Sequence, residues 1–212
     1  MERLCPLIMY TIIGSKGHAT SAVSAVLSLH PEAKNSLRIC DAYDDYPNCN
    51  LRSIEVLGKK DIPGSSFPYF LAIGSNSERH ELWRCLNLPL ERYGNIIHRT
   101  SFVDPTAMLG VGIFIGAGAY IGPNVSIGNF SIVNTNSVVE HDSMVGTFVH
   151  VGPSACLCGQ VTIGDFTLVG ASATVLPSLT VPDRTTLGAG TVVVKSLHHA
   201  GRLYAGVPAQ EK

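Results

Sequence analysis

The sequence predicts a chain in two parts, a small α/β unit over residues 1–98 followed by a parallel β-helix with a C-terminal tail over residues 99–212. Two observations carry this. From Val103 to Val193 every sixth residue is a branched aliphatic: Val103, Leu109, Ile115 and Ile121 open the series and Val175, Val181, Leu187 and Val193 close it. Ahead of that series, short apolar runs alternate with helix-like stretches across glycine turns.

A period of six suits neither a helix, at 3.6 residues per turn, nor a long strand, at two. It suits very short strands joined by tight turns, and glycine follows the aliphatic at Gly110, Gly116, Gly122, Gly128, Gly146, Gly152, Gly164, Gly170 and Gly188. Three such hexads make one triangular coil with the aliphatics stacked inside, and successive coils pair about 4.8 Å apart. The fourth position after each aliphatic is mostly small or valine, as at Ala119, Val125, Ser131, Ser143, Ala155 and Ala173, which fits the corners of a triangle. No insertion breaks the register, so no long loop should leave the coil.

In the first part, Leu7 to Ile13 reads as a buried strand, Ala19 to Leu29 as a helix, Leu37 to Cys40 and Tyr69 to Ile73 as strands, and Ser77 to Leu88 as a second helix. Asn95 to Ile97 leads into the coil. Alternation of this kind builds a Rossmann-like unit, whose ligands bind beyond the carboxyl ends of its strands. The turn Gly14-x-x-Gly17 would let backbone N–H groups and a helix N-terminus approach a phosphate, and equally serves as a plain strand-to-helix turn. It lacks the full dinucleotide fingerprint, so a hydride-transfer cofactor is not expected. Gly74-Ser75-Asn76 offers a second edge of the same kind, and Asp41, Asp44 and Asp45 follow the second strand.

The net charge of −1 and the absence of a basic stripe disfavour nucleic acid as a partner. The opening apolar stretch is far too short to cross a bilayer. Six cysteines lie scattered without a zinc-ribbon spacing, which points to reduced thiols in a cytoplasm.

The order of parts is specific: Gly14-x-x-Gly17-His18, the Ile73-Gly74-Ser75-Asn76 strand end, Asn134 through Glu140-His141-Asp142 within the hexads, His150, Leu187-Gly188-Ala189-Gly190, and Gly206-Val207-Pro208-Ala209. Over nearly its whole length the chain resembles the sialic acid O-acetyltransferase and UDP-4-amino-sugar (bacillosamine-pathway) N-acetyltransferase family, within the hexapeptide-repeat acyltransferases. That resemblance implies a left-handed parallel β-helix, against the usual right-handed crossover. It implies acetyl-CoA as cosubstrate, the 4-amino group of a nucleotide-linked amino sugar as acceptor with UDP the expected nucleotide, no metal, and a homotrimer whose sites combine two chains. Two departures stand out. Lys16 replaces the small residue usual inside the turn, and Asp142 stands where some members carry glutamate.

Carried over by matching positions, the resemblance makes His141 the general base that takes the proton from the sugar amine, with Asp142 orienting its ring. An imidazole suits that role because its ordinary pKa lies near working pH. His150 would contact the acetyl carbonyl region, Asn134 would help hold the acceptor, and the backbone N–H of Gly159 would face the developing oxyanion. His18, Gly14, Gly17, Asp44 and Asn76 belong to the acceptor end; Gly159, Gly170, Gly188 and Ala189 leave room for the cosubstrate, although coil packing accounts for small residues equally well. Three rivals share these residues. The same base could serve O-acetylation of a sialic-acid-type sugar; a zinc enzyme of the γ-carbonic-anhydrase kind would need a third histidine; and a non-catalytic scaffold would need none.

Overall fold

The computed structural model describes residues 10–14, 16–35, 37–41, 50–51, 54–57, 62 and 67–212. The α/β unit comprises β1 (Thr11–Ile13), α1 (Gly17–Leu29), β2 (Arg38–Cys40), β3 (Asn50–Leu51), β4 (Ile54–Leu57), β5 (Tyr69–Leu71) and α2 (Asn76–Leu86). Its sheet runs β3-β4-β2-β1-β5, parallel except for the β3–β4 pair. The part of the first expected strand that precedes Tyr10 lies outside the described residues, and the β3–β4 hairpin carries no signal that the sequence made legible.

Beyond Gly94 the chain winds as a β-helix of two-residue strands in three parallel sheets. The first sheet stacks Phe102–Val103, Tyr120–Ile121, Val138–Val139, Cys156–Leu157, Thr174–Val175 and Val192–Val193. Met108–Leu109 through Thr180–Val181 make the second. Ile96–Ile97 through Thr186–Leu187 make the third, which Leu203–Ala205 and Gln210–Glu211 extend at the C-terminal end. The predicted aliphatics fill the interior: Ile121, Val139, Leu157, Val175 and Val193 are fully buried. Burying each such side chain contributes roughly 1.5–3 kcal/mol.

Three edges join the sheets. At every edge the chain turns through a left-handed residue, spaced six apart from Gly112 to Gly190, and from Asn124 to Arg184 none of them is glycine. An L-residue held there costs roughly 1–2 kcal/mol, so the coil stands on its stacked interior and inter-coil hydrogen bonds. Buried Ser131, Ser143 and Thr167 add side-chain bonds to the next coil, to the carbonyls of Gly146, Cys158 and Pro182 at 2.8, 3.0 and 3.0 Å.

The α/β unit sits on the third sheet and on the edge between the second and third. Helix α1 turns Ala19, Ala22, Val23, Ala25 and Val26 inward, a face small enough to lie close to Ile96, Phe114 and Ile132 of the third sheet, with which it shares a core. Helix α2 lies over a stack of Phe130, Phe148 and Phe166, one from each of three successive coils, with ring centroids 5.0 and 5.3 Å apart. Trp83 packs on Phe130 and Phe148, His80 meets Phe148 and Phe166 edge-on, and Arg184 covers the Phe166 ring at 4.5 Å. Among the described residues no helix is long and apolar enough to cross a membrane.

Candidate active site

The expected site residues fall into three places, because each hexad carries the chain one third of the way round the coil. His141, Asp142 and Gly159 lie on the first edge, between the first and second sheets. Asn134, Gly170, Gly188 and Ala189 lie on the edge between the third and first. Gly14, Gly17, His18 and Asn76 belong to the α/β unit, against the third sheet that carries His150. The first edge is the vertex opposite the third sheet, so a single chain holds His141 away from His18, Asn76 and His150. Asp44 lies outside the described residues.

On the first edge the imidazole of His141 is about half exposed and its Nδ1 stands 2.8 Å from Asp142 Oδ2. The other carboxylate oxygen accepts from Asn124 Nδ2 at 3.0 Å, one coil below. The bond with His141 and then that from Asn124 hold the Asp142 carboxyl below the usual carboxylate range, so it stays ionised and keeps the Nδ1 proton facing it. That leaves Nε2 with a free lone pair. Asp142 and Asn124 both occupy left-handed corners, with φ of 59° and 58°, so the backbone aims their short side chains along the edge. Sequence reading missed Asn124; its place one full coil before Asp142 is the signal that would have found it. Above them the bare Cα of Gly159 faces the ring: a Cβ there would lie 2.5 Å from His141 Nε2.

At the junction, His150 is half-buried with both ring nitrogens engaged. Nδ1 faces the Gly74 carbonyl at 3.2 Å and must therefore carry the proton, while Nε2 accepts from Asn134 Nδ2 at 3.1 Å. Burial, then the charge of Arg79, push its pKa down to about 4. His18 is deeper still: its pKa falls to about 3, through burial and then the neighbouring His150 and Arg79, and its Nε2 is buried without a hydrogen-bond partner among the described residues. Its ring meets Phe114 edge-on at 4.8 Å. A cavity of about 90 Å³ opens here at the carboxyl ends of β1 and β5, lined by Gly14, Lys16, His18, Asp41, Gly74 and Glu78. Gly14 is obligatory, since its φ is +131° and a Cβ would strike the Ala72 carbonyl at 2.7 Å; Gly17 opens α1 with free space around its Cα. Next to it a wider cleft of about 520 Å³ runs between the start of α2 and the coil, past Ser75, Asn76, His150, Phe166, Leu168 and Arg184.

Asn76 also ties α2 to the coil, since its Nδ2 donates to the carbonyls of Phe166 and Thr167 at 3.2 and 3.1 Å. Gly170 is demanded by coil packing, for a Cβ would fall 2.6 Å from Ala189 N, whereas Gly188 has more room, with Ala205 Cβ at 3.2 Å. Among the described residues no three His, Cys, Asp or Glu side chains gather as a metal site.

No family model matches the chain. Solved structures do. A single-residue mutant of perosamine N-acetyltransferase from Caulobacter crescentus, in complex with CoA and GDP-perosamine, is 31% identical over 96% of this chain and 96% of its own, with a TM-score of 0.84. The chain belongs to the hexapeptide-repeat sugar acetyltransferases. The acetyltransferase domain of PglB from Neisseria gonorrhoeae FA1090 matches this acetyltransferase at 27% identity over 97% of this chain and 100% of its own, with a TM-score of 0.85, and has also been solved with acetyl coenzyme A. WeeI from Acinetobacter baumannii AYE shares the fold at 22% identity, over 96% and 100% of the two chains, with a TM-score of 0.82. The acetyltransferase thus has the parallel β-helix that its hexads implied, with the left-handed winding that the family resemblance implied.

Proposed function

We propose that the acetyltransferase moves the acetyl group of acetyl-CoA to the 4-amino group of a nucleoside-diphosphate-linked amino sugar, with His141 as general base. The observation that carries this is the first-edge arrangement: an accessible imidazole with Nδ1–H held by an ionised carboxylate and Nε2 open beside the bare Cα of Gly159. The thioester supplies an acyl carbon open to attack and a thiolate leaving group. His141 Nε2 takes the proton that the sugar nitrogen sheds as its bond to that carbon forms, and Asp142 stabilises the imidazolium that results. The Gly159 N–H lies beside the ring, where a carbonyl oxygen gaining charge would find a donor. The proton then passes from His141 to the departing sulfur.

The two halves of the site are joined in a homotrimer. The outward column of the first sheet is mostly apolar, with Phe102 50% exposed, its ring stacked on Tyr120 at 5.3 Å, and Val138, Cys156 and Val192 half-buried. If this face lines a threefold axis, the His141 edge of each chain meets the Asn134, Gly188 and Ala189 edge of its neighbour, and a groove runs between them. CoA lies in that groove, with Gly159, Gly170, Gly188, Ala189 and His150 along it. The acceptor's nucleotide rests on the α/β unit, where Gly14, Gly17, Asn76 and Asp44 serve its phosphates and nucleoside and the unpartnered Nε2 of His18 serves the sugar end. The base is uracil, as the family resemblance implies, or guanine, as in the Caulobacter enzyme's GDP-perosamine; a panel of UDP- and GDP-linked 4-amino sugars with acetyl-CoA decides. The decisive variant is His141→Ala. It should assemble and melt as the parent does yet lose about a hundred- to ten-thousand-fold in kcat; turnover near the parent's would remove His141 from the mechanism.

A further inference from the structure

Among the described residues Arg79 is the largest of the fully buried side chains, 1% exposed on the inner face of α2. Among the described residues no carboxylate pairs with it; its acceptors are carbonyls and one amide oxygen. Nε donates to Phe130 O at 2.7 Å, Nη1 to Ile73 O and Gly74 O at 2.8 and 3.2 Å, and Nη2 to Asn76 Oδ1 and Val149 O at 2.8 and 3.5 Å. All five guanidinium hydrogens are thereby used. Burying a full charge this way is expensive, and anchoring α2 alone does not require it, since Asn76 and the phenylalanine stack already do so.

The contacts converge on His150. Gly74 O receives both Arg79 Nη1 and His150 Nδ1, and Val149, which precedes His150 in the chain, receives Arg79 Nη2. Arg79 thus fixes the acceptor that decides which His150 nitrogen carries the proton. With Nδ1 protonated, Nε2 can only accept, and it takes one of the two Nδ2 hydrogens of Asn134. Asn134 Oδ1 is held in turn by the Thr135 N–H at 2.8 Å. Among the described residues nothing accepts the second Asn134 hydrogen.

We propose that Arg79 is a positioning residue for acetyl transfer: through the Gly74 carbonyl and the His150 ring it fixes the Asn134 amide so that its remaining N–H faces the groove that the neighbouring chain's His141 edge completes. The relay crosses the third sheet from the α2 side to the Asn134 edge. A charged fork is needed because two separate elements, the β5–α2 connection and the strand bearing His150, must be held in one register; lysine has the charge without the fork. The inference rests on the proposed groove. Among the described residues His18 from α1 and Arg79 from α2 are the titratable groups facing His150, and the charge of Arg79 favours its neutral form.

The test is a double-mutant cycle on the intact oligomer, with Arg79→Lys and Asn134→Ala assayed for kcat and KM with acetyl-CoA and with GDP-perosamine or a UDP-linked 4-amino sugar. Arg79→Lys should lower kcat about tenfold in the parent and hardly at all once Asn134 is alanine. Equal losses in both backgrounds would overturn the relay and leave Arg79 a structural anchor. If the lysine variant does not fold, His150→Phe takes its place in the same cycle, with the same non-additivity expected and additivity again fatal. Independently of turnover, nitrogen NMR of histidine-labelled parent should show His150 as the Nδ1–H tautomer, and an Nε2–H tautomer would sink the proposal. This readout survives failure of every acceptor tried, so it separates the relay from the assigned reaction.

Discussion

The Cα of Gly159 faces the ring of His141 so closely that a Cβ there would sit 2.5 Å from Nε2 and 2.7 Å from Cε1. The three atoms nearest that Cβ position all belong to the imidazole. Gly159→Ala should leave the coil intact, because the half-exposed ring can swing into solvent, while kcat falls about ten- to a hundredfold, since a misplacement near 1 Å is enough for that. Thermal melting and steady-state kinetics check the pair. A large loss of melting temperature would show that the clash is absorbed by the coil instead.

Asp142 supports His141 through one oxygen and is held by Asn124 through the other. Asp142→Asn removes the charge that stabilises a protonated ring and should lower kcat about tenfold or more with KM for acetyl-CoA unchanged. Asn124→Ala frees the carboxylate to rotate and should have a smaller effect in the same direction. An Asn124→Ala effect on KM alone would place this residue in binding rather than in orienting the base.

Two histidines give acid sensitivity its sign. Burial holds His18 at about 3 and His150 at about 4, against 6.5 for the free side chain. Below about pH 6.5 the unfolded chain takes up protons that the folded chain refuses. Stability is therefore greatest above that point and falls as pH drops toward 4, by up to about 3 kcal/mol for His150 alone. A melting series from pH 7.5 to 4.5 should decline, and His150→Phe should decline less steeply; a flat parent series would contradict the burial of these rings.

Much of this architecture was legible because the coil leaves a strict mark: an interior residue every sixth position cannot be mistaken once the aliphatics are aligned. The site was legible only in pieces. His141 and Asn134 look adjacent at seven residues apart, yet one hexad turns the chain onto another edge, so closeness in sequence becomes separation in space. Arg79 reads as an ordinary charge on a polar helix, Asn-Ser-Glu-Arg-His-Glu, and only docking against the coil buries it. The phenylalanine stack was visible in principle as a repeat of eighteen at Phe130, Phe148 and Phe166, a longer period than the one that defined the fold.

That stack yields a further prediction. Phe148 lies between two rings and under His80 and Trp83, 5% exposed. Phe148→Ala should cost about 3–5 kcal/mol and loosen α2 first, so acceptor KM should rise before circular dichroism reports any loss of β-structure. Simultaneous loss of both signals would mean that the α/β unit and the coil unfold as one.

Since each coil takes eighteen residues and bonds only to its neighbours, as Ile121 pairs with Val139 and Val139 with Leu157, the span from the His141 corner to the C-terminal strands is quantised. Evolution or an engineer can lengthen it only in whole rungs of about 4.8 Å, and a single deleted residue would throw every later side chain out of phase.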